Sequence, residues 1–145
     1  MSKTDHLRNV PIFTDLSDSD LNRIASKMVS RDYEKGQMIL LEESTGETFF
    51  IMTSGTVKVT RLSDDGREVI LALLGESDFF GEMSLLDGEG RSANIVANED
   101  AEVMTLSRRD FLECLETYPK IAISLLEELA VRLRKSDQQI ESLSL

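Results

Sequence analysis

The stretch Asp78-Phe79-Phe80-Gly81-Glu82-Met83-Ser84-Leu85-Leu86-Asp87-Gly88-Glu89-Gly90-Arg91-Ser92-Ala93 holds the residues best suited to chemistry. Gly81 lets backbone approach a ligand closely. Met83–Leu86 has room for one helical turn, whose free N–H groups and positive dipole end favour a phosphate. Gly88 and Gly90 loosen the return, which carries Arg91 back toward the same spot. Its guanidinium is a planar fork of donors suited to two phosphate oxygens. Glu82 supplies an acceptor for a sugar hydroxyl. These residues suit a ligand with one phosphate and one free hydroxyl. A solvated surface loop, or a Glu82–Arg91 bridge that merely closes it, accounts for the same composition.

The elements around this stretch change period twice. Ser17 and Asp20 have the spacing of a helix-capping pair, followed by Leu21, Ile24, Ala25 and Met28 at helical intervals. From Met38 onward the chain reads as short β-rich runs: Met38–Leu41, Phe49–Thr53, Val57–Leu62, Glu68–Leu74, Asn94–Ala97 and Glu102–Leu106. The turns between them fall at Ser54-Gly55, Asp64-Asp65-Gly66 and Asn98-Glu99-Asp100. Such spacing predicts an antiparallel roll or barrel rather than βαβ units. Phe49, Phe50, Phe79 and Phe80 are expected to pack it. Ser107 and Asp110 then repeat the capping pattern ahead of Phe111, Leu112 and Leu115, and Pro119 suits the first turn of another helix. A helix from about Pro119 to Leu143 would be about 37 Å long. The expected layout is N-terminal helices at about 5–30, a roll at about 33–106 and C-terminal helices at about 108–145, all in one domain.

The bulk composition excludes several functions. The chain has 145 residues and a net charge of −11, from 27 acids against 16 bases. Nucleic-acid binding rests on basic patches that neutralise phosphates, so direct DNA or RNA contact by this chain is disfavoured. No apolar run is long enough to span a bilayer, and the N-terminus lacks an export pattern. The single cysteine, Cys114, closes no intrachain disulfide, which agrees with the cytoplasm. A metal site on such a roll needs several converging His and carboxylate ligands, and this chain has one histidine, His6. An iron–sulfur centre needs about four cysteines. Nothing places a base beside a Ser or Cys nucleophile, so no enzyme is expected and no cofactor or metal is implied.

The segment from Phe80-Gly81-Glu82 to Arg91-Ser92-Ala93 resembles the phosphate-binding cassette of the cyclic-nucleotide-binding domain family. Further marks of that family stand at Gly46-Glu47-Thr48-Phe49-Phe50-Ile51, Ser54-Gly55-Thr56-Val57-Lys58-Val59 and Gly66-Arg67-Glu68. The likeness runs from about Leu7 to the last residue. Within the family, the chain resembles the effector domain of bacterial transcription regulators of the cAMP receptor protein type. The resemblance implies a mainly β fold, a jelly-roll-like antiparallel β-roll with flanking helices and a long C-terminal helix. It implies that Glu82 takes the ribose 2′-hydroxyl and Arg91 the cyclic phosphate. Gly81 and Ser92 would stand at the phosphate, with Met83 and Ala93 in the same cassette. Along Ala130–Asp137, Arg132 and Ser136 fall at base-contacting positions. Asp137 departs from the serine or threonine pair of the cAMP receptor protein, and a carboxylate there accepts from adenine or guanine. The implied ligand is cAMP, or cGMP.

The seam Leu125, Leu129, Arg132, Ser136 and Leu143 runs near coiled-coil spacing, so a parallel homodimer through the last helix is expected. DNA contact would come through a helix-turn-helix domain beyond this chain, of which it would be the sensing half. Two alternatives remain: a dimerisation module of the same fold that binds no nucleotide, and a stand-alone cyclic-nucleotide binder.

Overall fold

The computed structural model describes residues 1–40, 47–82 and 93–144, and of residues 136–144 the backbone alone. Its leading elements are α1 (Lys3–Arg8), a 3-10 turn (Pro11–Phe13) and α2 (Asp18–Ser26). The strands described are β1 (Val29–Tyr33), β2 (Met38–Leu40), β3 (Thr48–Ser54), β4 (Val57–Leu62), β5 (Glu68–Leu74), β6 (Phe79–Phe80), β7 (Asn94–Ala97) and β8 (Ala101–Ser107). The helices α3 (Arg108–Thr117) and α4 (Pro119–Ser144) follow. The strands make two antiparallel sheets, ordered β1-β8-β3-β6 and β2-β7-β4-β5. This is the antiparallel β-roll with flanking helices that the sequence predicts.

Hydroxyl caps start the helices where the sequence places them. The Ser17 Oγ accepts from the Asp20 amide at 3.2 Å, and the Ser107 Oγ from the Asp110 amide at 3.2 Å. A reciprocal capping box at Ser2 and Asp5, not anticipated, fixes α1. Met28, expected to continue α2, lies beyond its end and is buried in the core.

Strand β3 explains how helices and roll share one body. Its run Phe49–Thr53 is buried on both faces, so it reads as continuous apolar sequence rather than alternation. Phe49 and Ile51 join the helical side with Leu7, Phe13, Ile24, Phe111, Ile121 and Leu125. Phe50 and Met52 fill the roll with Val57, Phe80, Ile95 and Val103. Phe49 stacks on Phe111 at 4.4 Å between ring centroids, and Phe50 on Phe80 at 4.7 Å. Phe50 and Phe80 pack the roll interior as expected, whereas Phe49 and Phe79 are turned to the helical side. Cys114 is buried on the same helical side, and burial pushes its thiol up to about 11.

Several expectations need adjustment. The stretch given to N-terminal helices up to about residue 30 already contains the start of β1. Its sequence Val-Ser-Arg-Asp-Tyr is mostly exposed and carries no apolar run, and its register comes from pairing Val29 with Thr105 through Tyr33 with Ala101. The two-residue β6 is likewise defined by its partners Phe50 and Ile51. Leu41, expected to end a strand, lies outside the described residues. The helical seam is also rotated from its expected use. Ile121 and Leu125 are buried in the helical core, and Leu129 packs against it. Among the described residues, the large apolar side chains that α4 leaves to solvent are Ile123, Leu126, Val131 and Leu133. Among the described residues, no helix is long and apolar enough to cross a membrane.

Gly55, at the β3–β4 turn, admits no side chain. Its φ is +75°, and a Cβ there would stand 2.3 Å from the Asp100 carbonyl oxygen and 2.8 Å from the Ala101 Cα. Both obstacles are backbone. Gly55→Ala is therefore expected to cost about 2–4 kcal/mol, from the left-handed conformation and the overlap together. Urea unfolding checks it, and a loss under about 1 kcal/mol would mean that the β7–β8 turn yields.

Candidate functional site

A cavity of about 490 Å³ opens between the second sheet and α4. Its size lies within the range of about 300–1,000 Å³ typical of small-molecule sites. Leu40, Val59, Ala72, Leu73, Leu74 and Ile95 form an apolar wall from β2, β4, β5 and β7. Asp78, Phe79, Phe80, Gly81, Glu82 and Ala93 continue the lining. Glu128, Arg132 and Lys135 enter from α4. These three sit four and three residues apart, which puts them on one face of the helix.

The short β6 strand delivers the polar part of the site. It is followed at once by Gly81, whose φ of +91° turns the chain in a way that L side chains rarely follow. The turn carries Glu82 inward, where its side chain is only 5% exposed. A carboxylate so far from water needs a partner. Arg132 provides one: its Nη1 donates to the Glu82 Oε1 at 3.0 Å. The guanidinium also lies over the Phe79 ring, with Cζ 4.5 Å from the centroid. Its Nε stands 3.7 Å from the Glu128 Oε1, one turn earlier on α4. Phe79 in turn lies 5.7 Å from Phe49, which stacks on Phe111. The cation is thus seated on an aromatic row that reaches into α3.

Four of the residues expected at the site line this cavity: Gly81, Glu82, Ala93 and Arg132. Met83, Arg91 and Ser92 lie outside the described residues. Ser136 and Asp137 continue α4, with only their backbone described. Arg132, expected against a base, donates in this structure to the carboxylate expected to hold a sugar hydroxyl. Phe79 has a second role as the seat of that cation. Glu128 and Lys135 were not anticipated, although helical spacing from Arg132 is a signal sufficient to find them. The apolar wall from β4 and β5 was also missed, because nothing local tells which strand face lines a cavity.

Residues 30–118 match the family model described as the cyclic nucleotide-binding domain. The chain belongs to that family. Among its relatives, the cyclic AMP receptor protein of Thermus thermophilus is 37% identical over 138 residues, covering 95% of this chain and 64% of that protein. The crystal structure of the Thermus thermophilus catabolite activator protein superposes with a TM-score of 0.85 at 38% identity. That match covers 92% of this chain and 63% of the other. A cGMP-dependent protein kinase, isozyme 2, of Drosophila melanogaster is 30% identical over 145 residues, which is 98% of this chain but 16% of the kinase. The chain thus spans less than two thirds of the length of these relatives. As a cyclic nucleotide-binding domain similar to regulators of the cAMP receptor protein type, it presents Gly81 and Glu82 inside the matched region, and Arg132 beyond it.

The unequal burial of the ion pair has a measurable consequence. Arg132 is 37% exposed and can be solvated alone, whereas Glu82 cannot. Arg132→Gln should therefore cost about 1–2 kcal/mol, discounted for solvent screening, and Glu82→Gln clearly less. Chemical unfolding of both ligand-free variants measures this, and equal losses would contradict a desolvated Glu82.

Proposed function

We propose that residues 1–145 form one ligand-sensing domain that binds a 3′,5′-cyclic nucleotide, catalyses nothing, and passes occupancy on through α4. The observation that carries this reading is the Glu82–Arg132 pair, which joins the ligand-side carboxylate directly to the long helix. In the proposed complex, Glu82 accepts from the ribose 2′-hydroxyl and Arg91 clasps the cyclic phosphate. Gly81, Met83, Ser92 and Ala93 line that end, while Ser136 and Asp137 approach the base. A carboxylate accepts several hydrogen bonds at once, so Glu82 can hold both the hydroxyl and Arg132. The apolar wall of Val59, Ala72, Leu74 and Ile95 suits a purine face.

The preferred ligand in this reading is cAMP, supported by likeness to a cyclic AMP receptor protein. Relatives named cGMP-dependent protein kinases support cGMP as the second candidate. Bacterial relatives include a CRP-like cAMP-activated global transcriptional regulator of Mycobacterium tuberculosis, of which this chain covers 61%. By that likeness the domain serves a cytoplasmic transcription regulator. The net charge of −11 assigns any DNA contact to another domain. Calorimetric titration with cAMP and cGMP tests the reading. Saturable binding of cAMP is expected, and Arg91→Ala should weaken it by about 30-fold or more, leaving a buried phosphate unpaired. Absence of binding by either nucleotide would favour a purely structural dimerisation module.

The same reading includes a homodimer through α4. Ile123, Leu126 and Leu133 are each more than half exposed and recur at intervals of three and seven residues along the helix. Paired α4 helices would cover them, whereas Leu125 and Leu129 already serve the protomer's own core. The double variant Leu126→Asp/Leu133→Asp should sediment as a folded monomer. A variant that stays dimeric would move the interface off this helix face.

A further inference from the structure

We propose that Glu128 is a positioning residue for the nucleotide site: it orients Arg132 toward Glu82 without touching the ligand's sugar or phosphate itself. The inference rests on the cyclic-nucleotide reading for what the site recognises, but its structural half does not.

Three neighbours fix the Arg132 guanidinium. Phe79 lies beneath its face, Glu82 takes Nη1, and Glu128 stands beside Nε. The two carboxylates meet different nitrogens of one rigid, planar group, so together they define its rotation about the Phe79 stack. Their environments differ sharply. Glu82 is 5% exposed, and its contact is a direct hydrogen bond. Glu128 is 38% exposed, and its 3.7 Å separation lies beyond direct hydrogen bonding, so it acts by charge. Its placement one turn toward the N-terminus of α4 is the favourable order for a Glu–Arg pair on a helix.

An arginine side chain has much rotamer freedom, and reaching across the cavity to Glu82 gives that freedom up. Glu128 draws the Nε edge back toward the helix axis and so leaves the Nη1 edge facing Glu82. Without it, Arg132 keeps its buried partner but samples more orientations, and the carboxylate that faces the sugar is held less firmly. The opposite expectation follows if Glu128 acts only as a negative charge near an anionic ligand. In that case removing it would tighten binding.

Affinity for cAMP measured on Glu128→Gln separates these effects. At low salt the variant should bind about two- to threefold more weakly, the scale of one helical ion pair. Most of that loss should vanish at about 0.5 M salt, because the pair is half exposed. In an Arg132→Gln background the further change Glu128→Gln should have almost no effect. Tighter binding, or the same loss in both backgrounds, overturns the proposal. A second readout needs no nucleotide: the Arg132 Nε–H signal in ¹⁵N spectra of the ligand-free protein. Glu128→Gln should shift it and speed its exchange with water. An unchanged signal overturns the positioning role even where the parent binds cAMP. A shifted signal in a parent that binds neither cAMP nor cGMP refutes the nucleotide reading and sustains the positioning of Arg132.

Discussion

A carboxylate taken almost wholly out of water has to be matched by a cation, and in this molecule the match comes from another element fifty residues away. Glu82 lies two residues beyond the two-residue strand β6, and Arg132 on the fourth turn of α4. A carboxylate 5% exposed is held in place by hydrogen bonding, and the bond from Arg132 is the part of that support that comes from α4. The charged floor of the cavity is thus tied to α4 through Arg132. Packing of the helix and polarity of the site are one constraint.

That constraint is transmitted by rings. Arg132 rests on Phe79, Phe79 lies against Phe49, and Phe49 stacks on Phe111 of α3. Phe49 belongs to β3, which is buried on both faces and separates the helical core from the roll interior. Interiors packed to crystal-like density do not deform smoothly. A shift of Arg132 is thus felt by the same aromatic layer that seats α1, α2 and α3. The 3-10 turn Pro11–Phe13 closes this layer against α4, so the N-terminal helices brace the helix that covers the cavity.

Much of this was legible in the chain before folding, and the reasons are specific. β4, β5 and β7 stand at Val57–Leu62, Glu68–Leu74 and Asn94–Ala97, residue for residue as read from the sequence. Each is bounded by glycine, aspartate or asparagine turns and carries enough β-branched or apolar residues to declare itself. β1 is not so marked: Val-Ser-Arg-Asp-Tyr becomes a strand because β8 offers it a ladder, which is information held elsewhere in the chain. Glu82 was found through its glycine neighbour and the family pattern. Its pairing with Arg132 was not, since no local rule links residues so distant. The face of α4 was misjudged for a related reason. Apolar residues occur on more than one side of this helix, and only the position of the roll decides that Leu125 turns inward while Leu126 stays in water.

The same division bears on the signal that α4 is proposed to carry. Its first half is anchored by Ile121 and Leu125, each at most 3% exposed, and that anchorage is hydrophobic and independent of any ligand. Beyond Leu129, on the cavity side, Arg132 adds a polar contact, which in the proposed reading a ligand at Glu82 strengthens or weakens. A bound molecule shifts a helix only by as much as its affinity differs between the helix's arrangements. A contact worth one or two kcal/mol, sited where sugar recognition is proposed, is the right size for couplings of about 1–3 kcal/mol. A fully hydrophobic clasp would hold α4 whether or not the site were filled. A clasp made of water-exposed charges would be screened too strongly to hold it at all. One buried carboxylate facing one partly exposed guanidinium lies between those limits, so in the proposed reading the distal helix responds to occupancy while the core beneath it stays fixed.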